Sequence, residues 1–264
     1  MIRRVLNVLG LGGALLVQPV CLPSASASEA DAPALVADTV HYQSGADTVG
    51  AVFFHRAGDS SAPGIVVIHE WWGMDDWILE SGRRIAERGY AVLVLDLYRG
   101  HVAKTADEAH ELMRGLPEDR AARDLKSAVA WLRAQPGVDP DQVGTIGWCM
   151  GGGYSLQAAL LVPDLTSCVI CYGRLVADDS TLAPLSAEVF GIFGAEDRGI
   201  PAASVTDFEA RAHKLGKKVT MEVYDGVGHA FMNSGNERYS EEAAERAWTQ
   251  INEFLDRTLK PSGK

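Results

Sequence analysis

The chain has 264 residues, which is enough for one α/β domain with a substantial core and short for two. Hydrophobic residues make up 47% of the chain and charged residues 22%, a balance typical of a globular protein and not of a disordered or fibrous one. The net charge of −11 argues against nucleic-acid binding, because a protein that grips phosphates by charge needs a basic surface.

The N-terminus has the pattern of an export signal. Two arginines precede an apolar run over residues 5–20, and small residues at 25–27 form a site that a signal peptidase reads. A membrane anchor is the competing interpretation, but the run contains glycines and a proline and is shorter than the roughly 20 residues that a span needs. We therefore expect a cleaved signal over residues 1–27, a periplasmic or secreted protein without a stable membrane anchor, and a single domain over residues 28–264.

Short runs of apolar or β-branched residues, each bounded by turn residues, predict β-strands. They are residues 51–54, 65–69, 91–97, 143–148, 168–172, 189–194 and 219–224. Segments with helical periodicity alternate with the later strands, at residues 76–88, 119–134, 153–161, 203–215 and 240–259. This order predicts an α/β fold, a mostly parallel sheet with helices on both faces and an antiparallel edge formed by the first strands. We assign no element to residues 100–117.

The strand at residues 143–148 runs into a glycine-rich turn and then into a helix. Gly147, Cys149 and Gly151 fit the G-x-nucleophile-x-G pattern of a nucleophile elbow, with cysteine in place of serine. The glycines are needed because the nucleophile occupies a strained backbone conformation at the top of a sharp turn. On this turn alone a buried core cysteine remains an alternative, whereas a dinucleotide site fits poorly because the G-x-G-x-x-G fingerprint is absent.

A nucleophile of this kind needs a base and a group that orients the base. In α/β folds that carry a nucleophile elbow, the chain order is nucleophile, acid, histidine. Asp197 and His229 follow Cys149 in that order, each after a predicted strand. Glu196 is an alternative acid. His69 also lies at a strand end but precedes Cys149, which favours a structural role. No clustered His or Cys spacing predicts a metal site.

Cys168 and Cys171 lie in a predicted buried strand. Residues three apart on a strand point to opposite faces of the sheet, so a disulfide between these two cysteines has poor geometry. We expect both to serve as small buried hydrophobic residues.

With these residues in hand, the sequence resembles the dienelactone hydrolase family of α/β-hydrolases over nearly all of the chain after the predicted signal. The match rests on residues 69–73 (HEWWG), 96–100 (DLYRG), 147–152 (GWCMGG), 194–197 (GAED) and 228–231 (GHAF). The resemblance implies a catalytic triad of Cys149, His229 and Asp197. It also implies that Glu70 lies beside the thiol and helps to control its protonation.

The resemblance further implies an oxyanion hole and substrate contacts. The backbone N–H groups of Met150 and Trp71 would form the oxyanion hole. Arg99 matches a position that holds a substrate carboxylate, although it directly follows a tyrosine where founding members have one residue between, and Trp72 is a second candidate contact. Asn233 stands where those members carry another substrate-binding arginine, so we expect a substrate less acidic than a dienelactone.

The sequence therefore predicts an enzyme, a hydrolase of small esters or lactones that uses no metal or cofactor and needs no obligate oligomer. A carboxylesterase or thioesterase with a different pocket is one alternative. A degenerate hydrolase retained as a binding module is the other, because an exposed thiolate outside the cytoplasm risks oxidation.

Overall fold

The computed structural model describes residues 34–58, 61–176 and 178–260, and the predicted signal over residues 1–27 lies outside them. The strands form one sheet of eight among the described residues. They are β1 (Leu35–Ser44), β2 (Asp47–Arg56), β3 (Ala62–Ile68), β4 (Ala91–Leu95), β5 (Val138–Trp148), β6 (Ser167–Cys171), β7 (Glu188–Gly194) and β8 (Val219–Tyr224).

Helices occupy most of the connections between these strands. They are α1 (Asp76–Ala86), α2 (Ala106–Arg114), α3 (Glu118–Arg133), α4 (Met150–Leu161), α5 (Asp179–Leu182), α6 (Ala202–Lys214) and α7 (Glu241–Leu259). The five predicted helices therefore correspond to α1, α3, α4, α6 and α7, with boundaries that differ by at most three residues.

The strand order is β1-β2-β4-β3-β5-β6-β7-β8. The pairs β1–β2 and β2–β4 are antiparallel, and every neighbouring pair from β4 to β8 is parallel. This order confirms the predicted α/β-hydrolase fold and its antiparallel edge. Strand β3 does not lie at that edge, however, because it pairs with β4 and β5 in the interior of the sheet.

Helices cover both faces of the sheet, as residues three apart on β5 show. Thr145 Oγ1 lies 2.9 Å from Ser155 Oγ of α4, on one face. The Trp148 ring points to the other face, where its centroid lies 5.4 Å from that of Trp77 in α1 and 5.6 Å from that of Trp248 in α7. Helices α1 and α7 therefore lie opposite α4.

The core follows the central strands. Every residue of β3, β4 and β6 is buried, as expected for parallel strands that are covered on both faces. Cys168 and Cys171 are free and buried in β6. This confirms that they serve as small core residues and form no disulfide with each other.

Three elements were absent from the sequence prediction: β1, α2 and the four-residue helix α5. Strand β1 is a partly exposed edge strand, and such strands carry a weak apolar signal. Helix α2 buries only Ala109, so it lacks an apolar stripe. Its N-terminus does carry a T-x-x-E capping signal, because Thr105 accepts a hydrogen bond from the Glu108 N–H and the Glu108 carboxylate accepts one from the Lys104 N–H.

Candidate active site

Cys149 lies between the end of β5 and the start of α4. Its backbone has φ 54° and ψ −118°, a conformation that costs a non-glycine residue about 1–3 kcal/mol. Its N–H donates to the Cys171 carbonyl at 3.0 Å, and its own carbonyl accepts from the Gly152 N–H at 3.1 Å. Strain of this kind persists only where the surroundings impose it, so the turn holds the half-buried sulfur in one place.

The glycines of this turn are required by backbone crowding. A Cβ atom on Gly147 would overlap the Gly151 carbonyl, and a Cβ atom on Gly151 would overlap the carbonyls of Ile68 and His69. The elbow is therefore pressed against the end of β3. This packing brings Cys149 to the loop that begins at Glu70.

His229 is oriented by Asp197, which follows β7. His229 Nδ1 lies 2.7 Å from Asp197 Oδ2, and because a carboxylate only accepts, Nδ1 is the donor. Asp197 Oδ1 accepts from the N–H groups of Gly199 at 2.8 Å and Ile200 at 3.1 Å. Burial favours a higher pKa for Asp197, but the hydrogen bonds from His229 and the two backbone groups hold the pKa below its ordinary value.

The other side of the His229 ring faces the nucleophile turn. Burial lowers the pKa of His229, but its interactions with the Asp197 and Cys149 side chains outweigh burial and raise the pKa to about 10. His229 therefore carries its proton at neutral pH. An imidazolium beside a cysteine sulfur favours the thiolate, which is the nucleophilic form.

Glu70 is buried directly after β3. Its Oε2 accepts a hydrogen bond from Asn233 Nδ2 at 2.6 Å, whereas its Oε1 is buried without a hydrogen-bond partner in the described chain. Burial raises the pKa of Glu70 to about 7, against the opposing effect of the Asn233 hydrogen bond. This carboxyl therefore changes its protonation near neutral pH.

The preceding residue, His69, fixes the start of this loop. It is wholly buried; its Nδ1 lies 2.5 Å from the Glu70 carbonyl, and its Nε2 accepts from the Leu97 N–H at 3.1 Å. Both ring nitrogens are thus engaged by the backbone. The geometry matches the structural role that the sequence favours for His69.

Two backbone N–H groups beside the elbow are free to bind an oxyanion. Those of Trp71 and Met150 donate no hydrogen bond in the described part of the chain. Met150 is the first residue of α4, and the first N–H groups of a helix have no partner within the helix. The two residues predicted to form an oxyanion hole therefore both offer a donor.

These groups open onto a cleft with a volume of about 940 Å³. Glu70, Cys149, Asp197 and His229 line its floor, and the rings of Trp71 and Trp72, 5.0 Å apart, line one wall. Trp72 thus lies where a substrate contact was predicted.

Several side chains at this site were not predicted from the sequence, among them His110, Met113 and Tyr172. His110 and Met113 reach the cleft from α2, and the His110 ring lies 4.7 Å from the Trp71 ring. Tyr172 is wholly buried directly after β6, with its ring 5.2 Å from the His229 ring. The only signal in the sequence for Tyr172 was its place at the carboxyl end of a parallel strand.

The position of Arg99 does not match its predicted substrate contact. Its Nη2 lies 2.7 Å from Asp124 Oδ2 and 3.8 Å from Asp47 Oδ2, and Arg99 is not among the residues that line the cleft. With φ 57°, the residue turns its guanidinium toward the wholly buried Asp124 of α3. We therefore assign Arg99 to an ion pair and not to the substrate site.

Asn233 is also absent from the residues that line the cleft. It is buried, and its amide is used by Glu70 and by the Gly235 N–H. The predicted direct substrate contact is therefore corrected to a contact with Glu70.

No helix within residues 34–58, 61–176 and 178–260 has the length and apolar character needed to cross a membrane. In the same ranges, no three or more His, Cys, Asp or Glu side chains are grouped so that they would hold a metal ion.

Comparison with known proteins points to one family. The model of the dienelactone hydrolase family matches residues 49–259. A "Putative carboxymethylenebutenolidase" of Methylorubrum extorquens is 30% identical over 94% of this chain and 89% of its own length, and the "Protein usf" of Aquifex pyrophilus is 32% identical over 75% and 89%. The crystal structure of a dienelactone hydrolase-like promiscuous phosphotriesterase from metagenomic libraries superposes with a TM-score of 0.78, at 25% identity over 85% of this chain and 99% of that one.

Proposed function

Because the chain belongs to the dienelactone hydrolase family, we propose that it hydrolyses its ester or lactone substrates through Cys149 and a thioester intermediate. It is an α/β-hydrolase, and its family acts on small esters or lactones. The observation that carries the proposal is that Cys149 and His229 line the same cleft while Asp197 orients the His229 ring, with 2.7 Å between His229 Nδ1 and Asp197 Oδ2.

In the first half of the reaction, the Cys149 thiolate attacks the carbonyl carbon and forms a carbon–sulfur bond. The carbonyl oxygen becomes an oxyanion, which the N–H groups of Trp71 and Met150 stabilise. When the intermediate collapses, the carbon–oxygen bond of the ester breaks. The leaving alcohol takes its proton from His229, and the acyl group remains on the sulfur.

In the second half, neutral His229 takes a proton from water, and the resulting hydroxide attacks the thioester. The carbon–sulfur bond breaks, the acid product leaves, and the thiolate and imidazolium are restored. Asp197 holds His229 in the tautomer that this cycle needs and stabilises its positive charge, without taking the proton itself.

The cysteine restricts the substrate class. A thiolate leaves a tetrahedral intermediate more easily than an amine does, so an amide adduct of Cys149 returns to starting material. An ester or lactone with a stabilised alkoxide or enolate leaving group goes forward. We therefore expect esters and lactones to be hydrolysed in preference to amides.

A hydrolysis panel tests this function. Purified protein is assayed with aryl esters of short acids, simple lactones, dienelactones and an anilide that carries the same acyl group as one of the aryl esters. We expect turnover of the esters or lactones and no turnover of the anilide above background. A folded protein that hydrolyses none of them, or that cleaves ester and anilide equally well, would contradict the proposal and, in the first case, favour a binding module.

A further inference from the structure

Asn233 lies in the loop that follows His229 and is 5% exposed. Its two amide atoms have different partners: Nδ2 lies 2.6 Å from Glu70 Oε2, and Oδ1 accepts from the Gly235 N–H at 2.8 Å. Because the Gly235 N–H requires an acceptor, the amide has one satisfied orientation, with its NH₂ group toward the carboxyl.

Glu70 has few other partners, and the two nearby charged groups have opposite effects on the ionisation of its carboxyl. The carboxylate of Asp75 disfavours its ionised form, and the positive charge of His229 favours it. Two further titratable groups that face it, the Tyr172 hydroxyl and the Cys171 thiol, stay uncharged because burial raises the pKa of each well above its ordinary value. The Cys149 sulfur, the thiolate of the reactive ion pair, lines the same cleft. Oε1 has no hydrogen-bond partner in the described chain. The Asn233 amide therefore supplies the hydrogen bond at Oε2, 2.6 Å away, and the Tyr172 side chain also lowers the pKa of Glu70 but by less.

We propose that Asn233 is a positioning residue of the reaction: its side-chain amide fixes the Glu70 carboxyl beside the Cys149–His229 pair and favours the ionised form of that carboxyl. A buried carboxylate without a donor keeps its proton, because ionisation without a partner is costly. The hydrogen bond also joins the loop that carries His229 to the loop that carries Glu70 and Trp71. This contact therefore helps to fix the position of the Glu70 carboxyl relative to His229.

The consequence is a defined dependence on pH. An ionised Glu70 adds negative charge near His229, which stabilises the imidazolium of the reactive ion pair. When Glu70 takes up a proton, that stabilisation is lost. The acid side of the profile of kcat/KM against pH should therefore follow the protonation of Glu70, and weakening the Asn233 donor should move it to higher pH. This inference rests on the proposed function of Cys149 and His229.

The variant N233D tests it with minimal change of shape. Aspartate keeps an oxygen for the Gly235 N–H but places a second carboxyl oxygen against Glu70, so the two carboxyls share one proton. We expect the acid limb of kcat/KM to move up by about one pH unit or more. The rate at which iodoacetamide alkylates Cys149, which needs no substrate, should show the same shift.

Two controls isolate the contact from general charge effects. S234D adds the same charge at the exposed neighbouring position, without the contact to Glu70, and is expected to move the limb by a small fraction of a unit because solvent screens it. In an E70Q background, N233D should cause no shift, because position 70 no longer titrates.

The inference is overturned if N233D and S234D give the same profile, or if N233D still shifts the limb in the E70Q protein. If N233D does not fold, N233S replaces it. The serine hydroxyl is too short to reach Glu70, so the acid limb of kcat/KM should again move to higher pH. The alkylation profile separates this failure from failure of the proposed function, since an unreactive Cys149 in the unmodified protein contradicts only the latter.

Discussion

Replacing Cys149 with alanine is expected to lower kcat/KM for an activated ester by about 10³-fold or more. The variant retains the oxyanion-hole donors and the cleft but has no atom that can accept the acyl group. Initial rates with an aryl ester, measured at equal concentrations of folded protein, provide the test.

Cys168→Ala is the matched control for this experiment. It removes a sulfur of the same kind from β6, where Cys168 Sγ lies 3.4 Å from Ser155 Oγ and is wholly buried. We expect a loss of stability of about 1 kcal/mol, as for a small cavity, and near-normal kcat/KM. Retention of more than a tenth of the activity in Cys149→Ala, with or without an effect in the control, would contradict a nucleophilic Cys149.

The second large effect concerns stability. Arg99→Ala is expected to lower the free energy of unfolding by about 3 kcal/mol, because it leaves Asp124 as an uncompensated charge. The Asp124 side chain is 0% exposed, and its second oxygen has no hydrogen-bond partner among the described residues. Urea denaturation of the two proteins at neutral pH measures the difference.

Arg123→Ala is the control on the same network. Arg123 Nη2 lies 2.9 Å from Asp47 Oδ2, and the two side chains keep 39% and 46% of their surface exposed, so the loss of this pair should cost at most about 1 kcal/mol. At a temperature where the Arg99→Ala protein is folded, any reduction in its rate of hydrolysis should be the same for anionic and for neutral substrates. A selective loss for anionic substrates without a loss of stability would return Arg99 to the substrate site.

The parts of the fold that the sequence predicted are those where a local pattern and the tertiary environment agree. Strands such as β3, β4 and β6 are buried on both faces, so their apolar runs are continuous. Strand β1 and helix α2 are exposed over much of their surface, so no apolar period marks them. Their existence depends on a hairpin partner and on a capping signal, which are weaker cues.

In the candidate site, too, the residues placed by the order of elements were predicted, and those placed by tertiary contacts were not. Cys149, Asp197 and His229 lie in the turns and loops that follow the parallel strands β5, β7 and β8, so the order of elements alone brought them to one edge of the sheet. Glu196, the alternative acid, is exposed, and the structure joins Asp197 to His229 instead. The side-chain directions of Arg99 and Asn233 depend on a positive φ and on a loop that folds back to Glu70. Neither feature leaves a periodic trace in the sequence.

The acyl-enzyme is the most direct test of the central claim that Cys149 carries the acyl group. The protein is mixed with an aryl ester whose acyl group is hindered enough to deacylate slowly, quenched in acid, digested and analysed by mass spectrometry. We predict one acyl group on the peptide that contains Cys149, removed by hydroxylamine at neutral pH and absent from Cys149→Ala, with Cys168 and Cys171 unmodified. An acyl group on another residue during turnover, or turnover by Cys149→Ala at the original rate, would contradict the account.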